Sequence, residues 1–179
     1  MPAQQQQQAS AGFWTLDYYK KYFDINTQDV VERTTAAVFP KKDFFALVSV
    51  NPDLYGPFWI PTTVIFLLFA CKNISQYISA SIAGSDYTFV ISDLSWAFSS
   101  VYGYVTVIPL MSWGICRYYH LPLTLLQLVD LYGYGIAIWL PVAVLSIVSN
   151  EIFRYVLVGL AFVLSGRCLL QTKTSVFQV

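Results

Sequence analysis

The sequence predicts an all-α fold: a polytopic helical membrane protein of about four transmembrane helices with a short cytosolic amino-terminal region. Three observations predict it. Charged residues make up only 11% of the 179 residues, where a soluble domain carries about 25%; that is too little charge to cover a water-facing surface. Hydrophobic residues make up 56%, and most of them gather into long uncharged runs after Pro57. Aromatic residues reach 17%, and aromatic rings favour the membrane–water interface. The formal net charge is zero, which gives no reason to expect nucleic-acid binding.

The chain divides into four stretches. Residues 1–12 are a glutamine-rich tract with nothing to bury and are expected to be disordered. They hold no apolar core of the kind a cleavable signal needs, so the first span is expected to act as the targeting signal. Residues 13–56 form a cytosolic amphipathic segment. Within it Trp14, Tyr18 and Tyr22 recur at helical spacing beside Lys20 and Lys21, a face suited to packing on the domain, to a membrane surface or to a partner's groove. Asn26 is placed to cap a second helix, with Asp29 in its first turn. Val30, Val31, Thr34, Ala37 and Val38 give that helix an apolar face, and Phe39-Pro40 ends it. Phe44 to Val50 is apolar but too short to span a bilayer, so it is interfacial or buried.

The stretch 57–170 is the transmembrane domain. Asn51-Pro52-Asp53-Leu54-Tyr55-Gly56-Pro57-Phe58-Trp59 marks its entry, because two prolines and a glycine stop what precedes and Phe58-Trp59 opens the apolar run. A first span from Pro57 to roughly Tyr77 supplies the ~20 residues a crossing needs, with Lys72 snorkelling near its far end. Asn73-Ile74-Ser75 reads as a glycosylation sequon set too close to the membrane to be used. Gly84, Ser85, Asp86 and Asp93 mark a loop. Leu94 to Cys116 is the clearest span, ended by Arg117-Tyr118-Tyr119-His120. Leu121 to Asn150 is longer than one straight span, so tilt, a kink at Pro141 or a longer loop takes up the excess. Ile152 to Leu170 makes a fourth, with Arg154 and Arg167 snorkelling near its two ends. Residues 171–179 are a short polar tail.

Four spans put both termini on one side. With a cytosolic amino terminus, Lys20, Lys21, Arg33, Lys41, Lys42, Arg117, Arg167 and Lys173 lie at the cytosolic face, and only Lys72 and Arg154 lie opposite. The positive-inside rule favours that orientation.

Asp130 is the intramembrane charge to explain, since an ionised carboxylate at the centre of a span costs about 2.5–3.5 kcal/mol on insertion scales. Arg167 enters from the same face, and an Asp130–Arg167 pair would neutralise both. The functional alternative is an ion or proton relay, making the protein a proton-linked transporter or channel. Tyr102-Gly103-Tyr104 and Tyr132-Gly133-Tyr134-Gly135 resemble each other, each with a proline downstream, a faint internal repeat. Gly133 with Ala137 forms a small-xxx-small pair suited to close helix packing.

No arrangement points to an enzyme. There is no phosphate-cradling loop and no nucleophile–base pair in a plausible context. His120 has no second metal ligand near it, so neither a metal nor another cofactor is expected. Cys71, Cys116 and Cys168 fit no zinc or redox spacing; they read as small apolar residues in helices, with S-palmitoylation of Cys116 or Cys168 as the sharper alternative.

Three sets of residues carry a family resemblance: Phe13-Trp14-Thr15-Leu16-Asp17-Tyr18-Tyr19, then Asn51 to Ile60 with its Asp53-Leu54-Tyr55-Gly56-Pro57-Phe58-Trp59 core, then Tyr132-Gly133-Tyr134 ahead of Pro141. Together they closely resemble the YIPF proteins, the Yip-domain family of Ypt/Rab-interacting membrane proteins, over about Phe13 to Gly166. The resemblance implies a multi-span protein of the Golgi and early secretory pathway, including the endoplasmic reticulum and transport vesicles. Its partners would be Rab-type small GTPases, often prenylated, together with other YIPF-family membrane proteins and the lipid bilayer. It implies vesicle transport and no enzymatic activity. Asp53, Leu54, Tyr55, Gly56, Pro57 and Trp59 become the expected partner motif, and a membrane-shaping role is a further alternative. The sequence departs from the family in two ways. Members typically have five spans, so a truncated or spliced product is expected. Gln127 also stands near an expected glutamate, and Asp130 where an apolar residue is usual.

Overall fold

The computed structural model describes residues 25–39, 44–49, 51–148 and 150–177. The aromatic stretch Phe13 to Phe23, Lys41 and Lys42 lie outside the described residues, as does the Cys168 side chain. The described residues form seven α-helices: α1 (Thr27–Val38), α2 (Phe44–Ser49), α3 (Tyr55–Ala83), α4 (Ser92–Tyr118), α5 (Leu125–Gly135), α6 (Trp139–Leu145) and α7 (Glu151–Phe177). A 3-10 turn, Ile136–Ile138, joins α5 to α6. Three segments, Tyr55–Ala83, Ser92–Tyr118 and Leu125–Leu145, are long and apolar enough to cross a membrane. The fourth, α7, packs against α6 near its start and also against α2, so it runs back along the bundle to the end where α2 sits.

α1 begins where Asn26 leaves the extended conformation, but the Asn26 side chain caps nothing. Only the backbone carbonyl of Asn26 serves, accepting from the Asp29 and Val30 amides. α1 buries Ala37 with Val30, Thr34 and Val38 partly covered beside it, as expected, but Val31 points outward and Arg33 and Ala36 complete the buried face. Small alanines let the helix lie close on the bundle, and α2 adds Phe44 and Val48 to the same core. The core continues through Ile60, Val64 and Ile65 of α3, Val101 and Val105 of α4, and Leu131, Tyr134, Ile136 and Ala137 of the third span. The outer faces are the reverse of a soluble protein's. Phe66, Val107, Leu110, Met111, Phe162 and Val163 are exposed, as side chains facing lipid must be.

α3 runs six residues past the expected end near Tyr77. The helix ends at a conformational signal, where Gly84 takes the left-handed conformation at φ 63° and Ser85 N–H returns to Ala80 O at 3.0 Å. Residues 85–90 then fold back along the end of α3. Phe89 meets Phe69 edge-on at 5.6 Å, and the Tyr87 hydroxyl donates to Asn73 Oδ1. Asn73 Nδ2 is meanwhile engaged with Phe69 O at 2.7 Å, which ties up the sequon's amide.

The third span breaks earlier than expected. Pro141 has no N–H to offer Ala137 O and its ring crowds that carbonyl. The backbone tightens into the 3-10 turn Ile136–Ile138 one turn ahead of the proline. Ahead of the third span, α4 closes with two return bonds, His120 N–H to Arg117 O at 3.3 Å and Leu121 N–H to Cys116 O at 2.9 Å. His120 occupies the left-handed position of this motif at φ 55°, where glycine is at ease and a Cβ is not. His120→Gly is expected to stabilise the protein by about 1 kcal/mol, seen as a higher melting temperature in detergent; no rise would mean the strain is relieved elsewhere.

Candidate functional site: a buried ionic cluster beneath the Asn51–Trp59 segment

The segment between α2 and α3 is fixed by its own side chains. Pro52 keeps the chain extended, and Asp53 Oδ1 accepts the Gly56 amide at 2.8 Å, satisfying one of the donors that a helix start leaves free. Pro57 sits in the first turn of α3, where an N–H would have no helical partner.

Arg33 of α1 reaches into this turn. Its Nη1 lies 2.5 Å from Asp53 Oδ2 and 3.4 Å from Asp130 Oδ2, and its Nη2 donates to Asn51 O at 2.8 Å. The Asp53 amide donates to Asp130 Oδ2 at 3.1 Å, and the Tyr134 hydroxyl donates to Asp53 Oδ2 at 3.1 Å. The guanidinium carbon stands 5.9 Å from the Tyr134 ring centroid, within cation–π range. Arg33, Asp53, Asp130 and Tyr134 are all buried. Two carboxylates thus converge on one guanidinium at the junction of α1, the entry turn, α3 and α5. Asp130 Oδ1 has no hydrogen-bond partner among the described residues.

Asp130 is therefore paired, but not with the expected residue. Its partner is Arg33, 97 positions away, while Arg167 on α7 is exposed and makes no bond to it. Asp130 lies only about 9 Å into the third span from Thr124 at ~1.5 Å per residue, shallow enough for a residue of the preceding segment to reach. Lys72, expected to snorkel near the far end of the first span, is half exposed there and pairs with Asp93 at 2.7 Å. Asp93 stands in the first turn of α4 rather than in a loop.

The glycines explain how closely the elements approach. A Cβ on Gly56 would overlap the Tyr134 ring and stand 2.7 Å from its hydroxyl. A Cβ on Gly133 would stand 2.5 Å from Pro57 Cα. Ala137, one turn further on, is fully buried. Gly103, the look-alike of Gly133, faces open space, so the two Tyr-Gly-Tyr segments are not equivalent. They do meet, Tyr104 edge-on to Tyr132 at 6.0 Å, and Tyr102 bonds Thr62 at 2.7 Å on α3.

Two residues outside the expected set complete the site. Arg33 is one. Gln127 is the other: its Oε1 accepts from the Thr124 backbone N–H at 2.9 Å, its own backbone N–H donates back to Thr124 Oγ1 at 3.3 Å, and its Nε2 donates to Ser49 O at 3.1 Å. The capping box was legible as Thr124-Leu125-Leu126-Gln127. The tie to Ser49 needs an amide donor that a glutamate does not have.

The motif residues divide by exposure. Asp53, Gly56 and Pro57 are buried and structural, whereas Tyr55, Phe58 and Trp59 are exposed and Leu54 is half-buried. The exposed rings brace one another, Phe58 edge-on to Trp59 at 5.2 Å and Tyr55 to Trp59 at 6.2 Å. Among the described residues no cluster of His, Cys, Asp and Glu could hold a metal ion.

Comparison with known proteins bears on this arrangement. The Yip1 domain matches residues 36–171. The chain is 34% identical to the "Protein YIPF1 homolog" of Dictyostelium discoideum over 155 residues, which is 86% of this chain and 44% of that protein. It is 38% identical to "Protein YIP5" of Schizosaccharomyces pombe over 159 residues, 85% of this chain and 63% of that protein. With "Protein YIP5" of Saccharomyces cerevisiae the identity is 26% over 148 residues, 73% of this chain and 46% of that protein. The chain thus spans about half the length of these curated relatives. No solved structure matches it. The matched stretch holds Asp53, Gly56, Asp130, Gly133 and Tyr134 together, and this chain belongs to the Yip1 domain family.

Proposed function

We propose that this protein is a Golgi and early secretory pathway membrane adaptor that binds Rab-type small GTPases and supports vesicle-mediated transport, with no enzymatic activity of its own. The observation that carries the reading is the exposed half of the entry motif. Tyr55, Phe58 and Trp59 project from a turn that Arg33, Asp53 and Asp130 hold rigid, and a rigid aromatic surface is what a partner site requires. Beside it lies an apolar cavity of about 400 Å³ whose walls include Leu54, Pro57, Phe58, Val105 and Leu110. That is the size of a small-ligand site, and its apolar walls suit an isoprenyl chain carried by the GTPase. In this reading the amino-terminal segment is cytosolic, as the distribution of lysine and arginine favours, and other YIPF-family proteins pack on the lipid-facing helices. The transporter reading has less support, because Asp130 is fully buried and held by Arg33 and the Asp53 amide.

The test is a pull-down with the full chain in detergent against prenylated and unprenylated Rab proteins. Retention of prenylated forms, weakened at least about tenfold when Tyr55 and Trp59 are both changed to alanine, is the expected result. Failure to retain any Rab in either form would remove the proposal.

A further inference from the structure

The end of the bundle away from Asn51–Trp59 carries a second, chemically different cavity. There Lys72 and Asp93 neutralise one another across 2.7 Å. Arg154, in the first turn of α7, lines the same cleft, and among the described residues no carboxylate pairs with it. The cleft therefore holds one surplus positive charge, flanked by Trp96 and Trp139. It encloses about 420 Å³ and shares Leu68 and Trp139 with a third cavity of about 550 Å³. This third cavity runs between α3, α4, α5 and α7, with walls that include Val64, Val101, Ile136 and Phe162. A cationic mouth thus adjoins an apolar channel, with Leu68 and Trp139 lining both.

Depth sets the identity of the occupant. From Tyr55 to Lys72 the α3 axis rises about 25 Å at ~1.5 Å per residue. The mouth accordingly lies near the far edge of a hydrocarbon layer ~30 Å thick, where arginine and tryptophan side chains meet headgroups. A channel below that level is filled from acyl chains rather than from water. A cation at headgroup depth above an apolar channel is complementary to an anionic amphiphile. A zwitterionic lipid carries no net negative charge to balance Arg154.

We propose that this cavity binds an anionic glycerophospholipid of the leaflet opposite Asn51–Trp59, its phosphate ester held by Arg154 and one acyl chain lying along the channel. The site is independent of the GTPase surface, which lies at the other end of the spans.

The full chain, purified and delipidated in detergent, is titrated with phosphatidylserine or phosphatidylcholine, and retained lipid is counted by native mass spectrometry. Preferential retention of phosphatidylserine is expected. Arg154→Gln should reduce that preference at least about tenfold, the scale of one charge-assisted contact, and Arg154→Lys should keep most of it. Gly166 lines the channel and a Cβ there meets nothing within 4 Å, so Gly166→Phe should fold and block binding of both lipids. Phosphatidylserine with brominated acyl chains should quench a part of the tryptophan fluorescence that is absent in Trp139→Phe and unquenched in Gly166→Phe. Equal retention of the two lipids would overturn the proposal, as would an unchanged preference in Arg154→Gln. So would competition by glycerophosphoserine as strong as by the lipid, or a channel filled by a second copy of the chain, seen as a cross-linked dimer that excludes lipid.

Discussion

Arg33→Ala is expected to lower stability by about 3–5 kcal/mol, the range for removing one partner of a buried ion pair. The cost comes from what stays behind. Asp53 and Asp130 would face one another without a cation, and Asn51 O would lose its donor. Because the guanidinium ties α1 to both the entry turn and α5, α1 should come loose from the bundle while the spans stay inserted. Two measurements check this: the melting temperature in detergent, and limited proteolysis of the segment before Asp53, which should become rapid. Arg33→Lys should fall in between, since a single ammonium cannot replace a planar fork that serves Asp53, Asp130 and Asn51 at once. Combining Arg33→Met with Asp53→Asn and Asp130→Asn should recover part of the loss, because no buried charge is then unpaired. Wild-type stability and unchanged proteolysis in Arg33→Ala would show that the cluster does not hold the segment.

How much of this was legible follows from the range of each interaction. The long helices were, because a bilayer-crossing run is a local property of composition. Their ends were less so: α3 continues to Ala83 since nothing in Ser75–Ala83 stops a helix, whereas the thickness of a membrane requires it only to about Tyr77. Asp130 was visible as a problem, but its solution was sought among the spans, and Arg167 was the nearest cation in that register. In sequence Arg33 is one cytosolic charge among several. One signal could have found it: Arg33 shares a helical face with Ala36 and Ala37, and an arginine on a small-residue face is one placed for burial. The motif Asn51–Trp59 was legible as a unit, but not its division into a buried half and an exposed half, which depends on Tyr134 and Arg33 packing beneath it.

That division makes Gly56→Leu the second large effect. Tyr134 fills the space a Cβ would need at position 56, and the ring has nowhere to go. It is fully buried, and its hydroxyl is bonded to Asp53, which Arg33 holds in turn. On the other flank Gly133 admits Pro57 at a distance no side chain would tolerate. The first turn of α3 and the last turn of α5 therefore interlock through two glycines. Overpacking such a contact costs roughly 1–3 kcal/mol, occasionally more, and Gly56→Leu should lie at or above the top of that range because the obstacle is a rigid ring. Insertion of the spans should survive, as their apolar runs are untouched, while the entry turn shifts and the Tyr55–Phe58–Trp59 surface moves with it. The expected result is a lowered melting temperature, weakened Rab retention and an unchanged membrane-extraction profile. Gly133→Ala should be similarly harmful, and Gly103→Ala should be close to neutral because its Cβ meets nothing within 4 Å. The two positions look alike in sequence, Tyr-Gly-Tyr in each, so a difference between them isolates the interlock from any general effect of replacing glycine in a span. Equal tolerance at Gly103, Gly133 and Gly56 would mean that α3 and α5 do not meet as described.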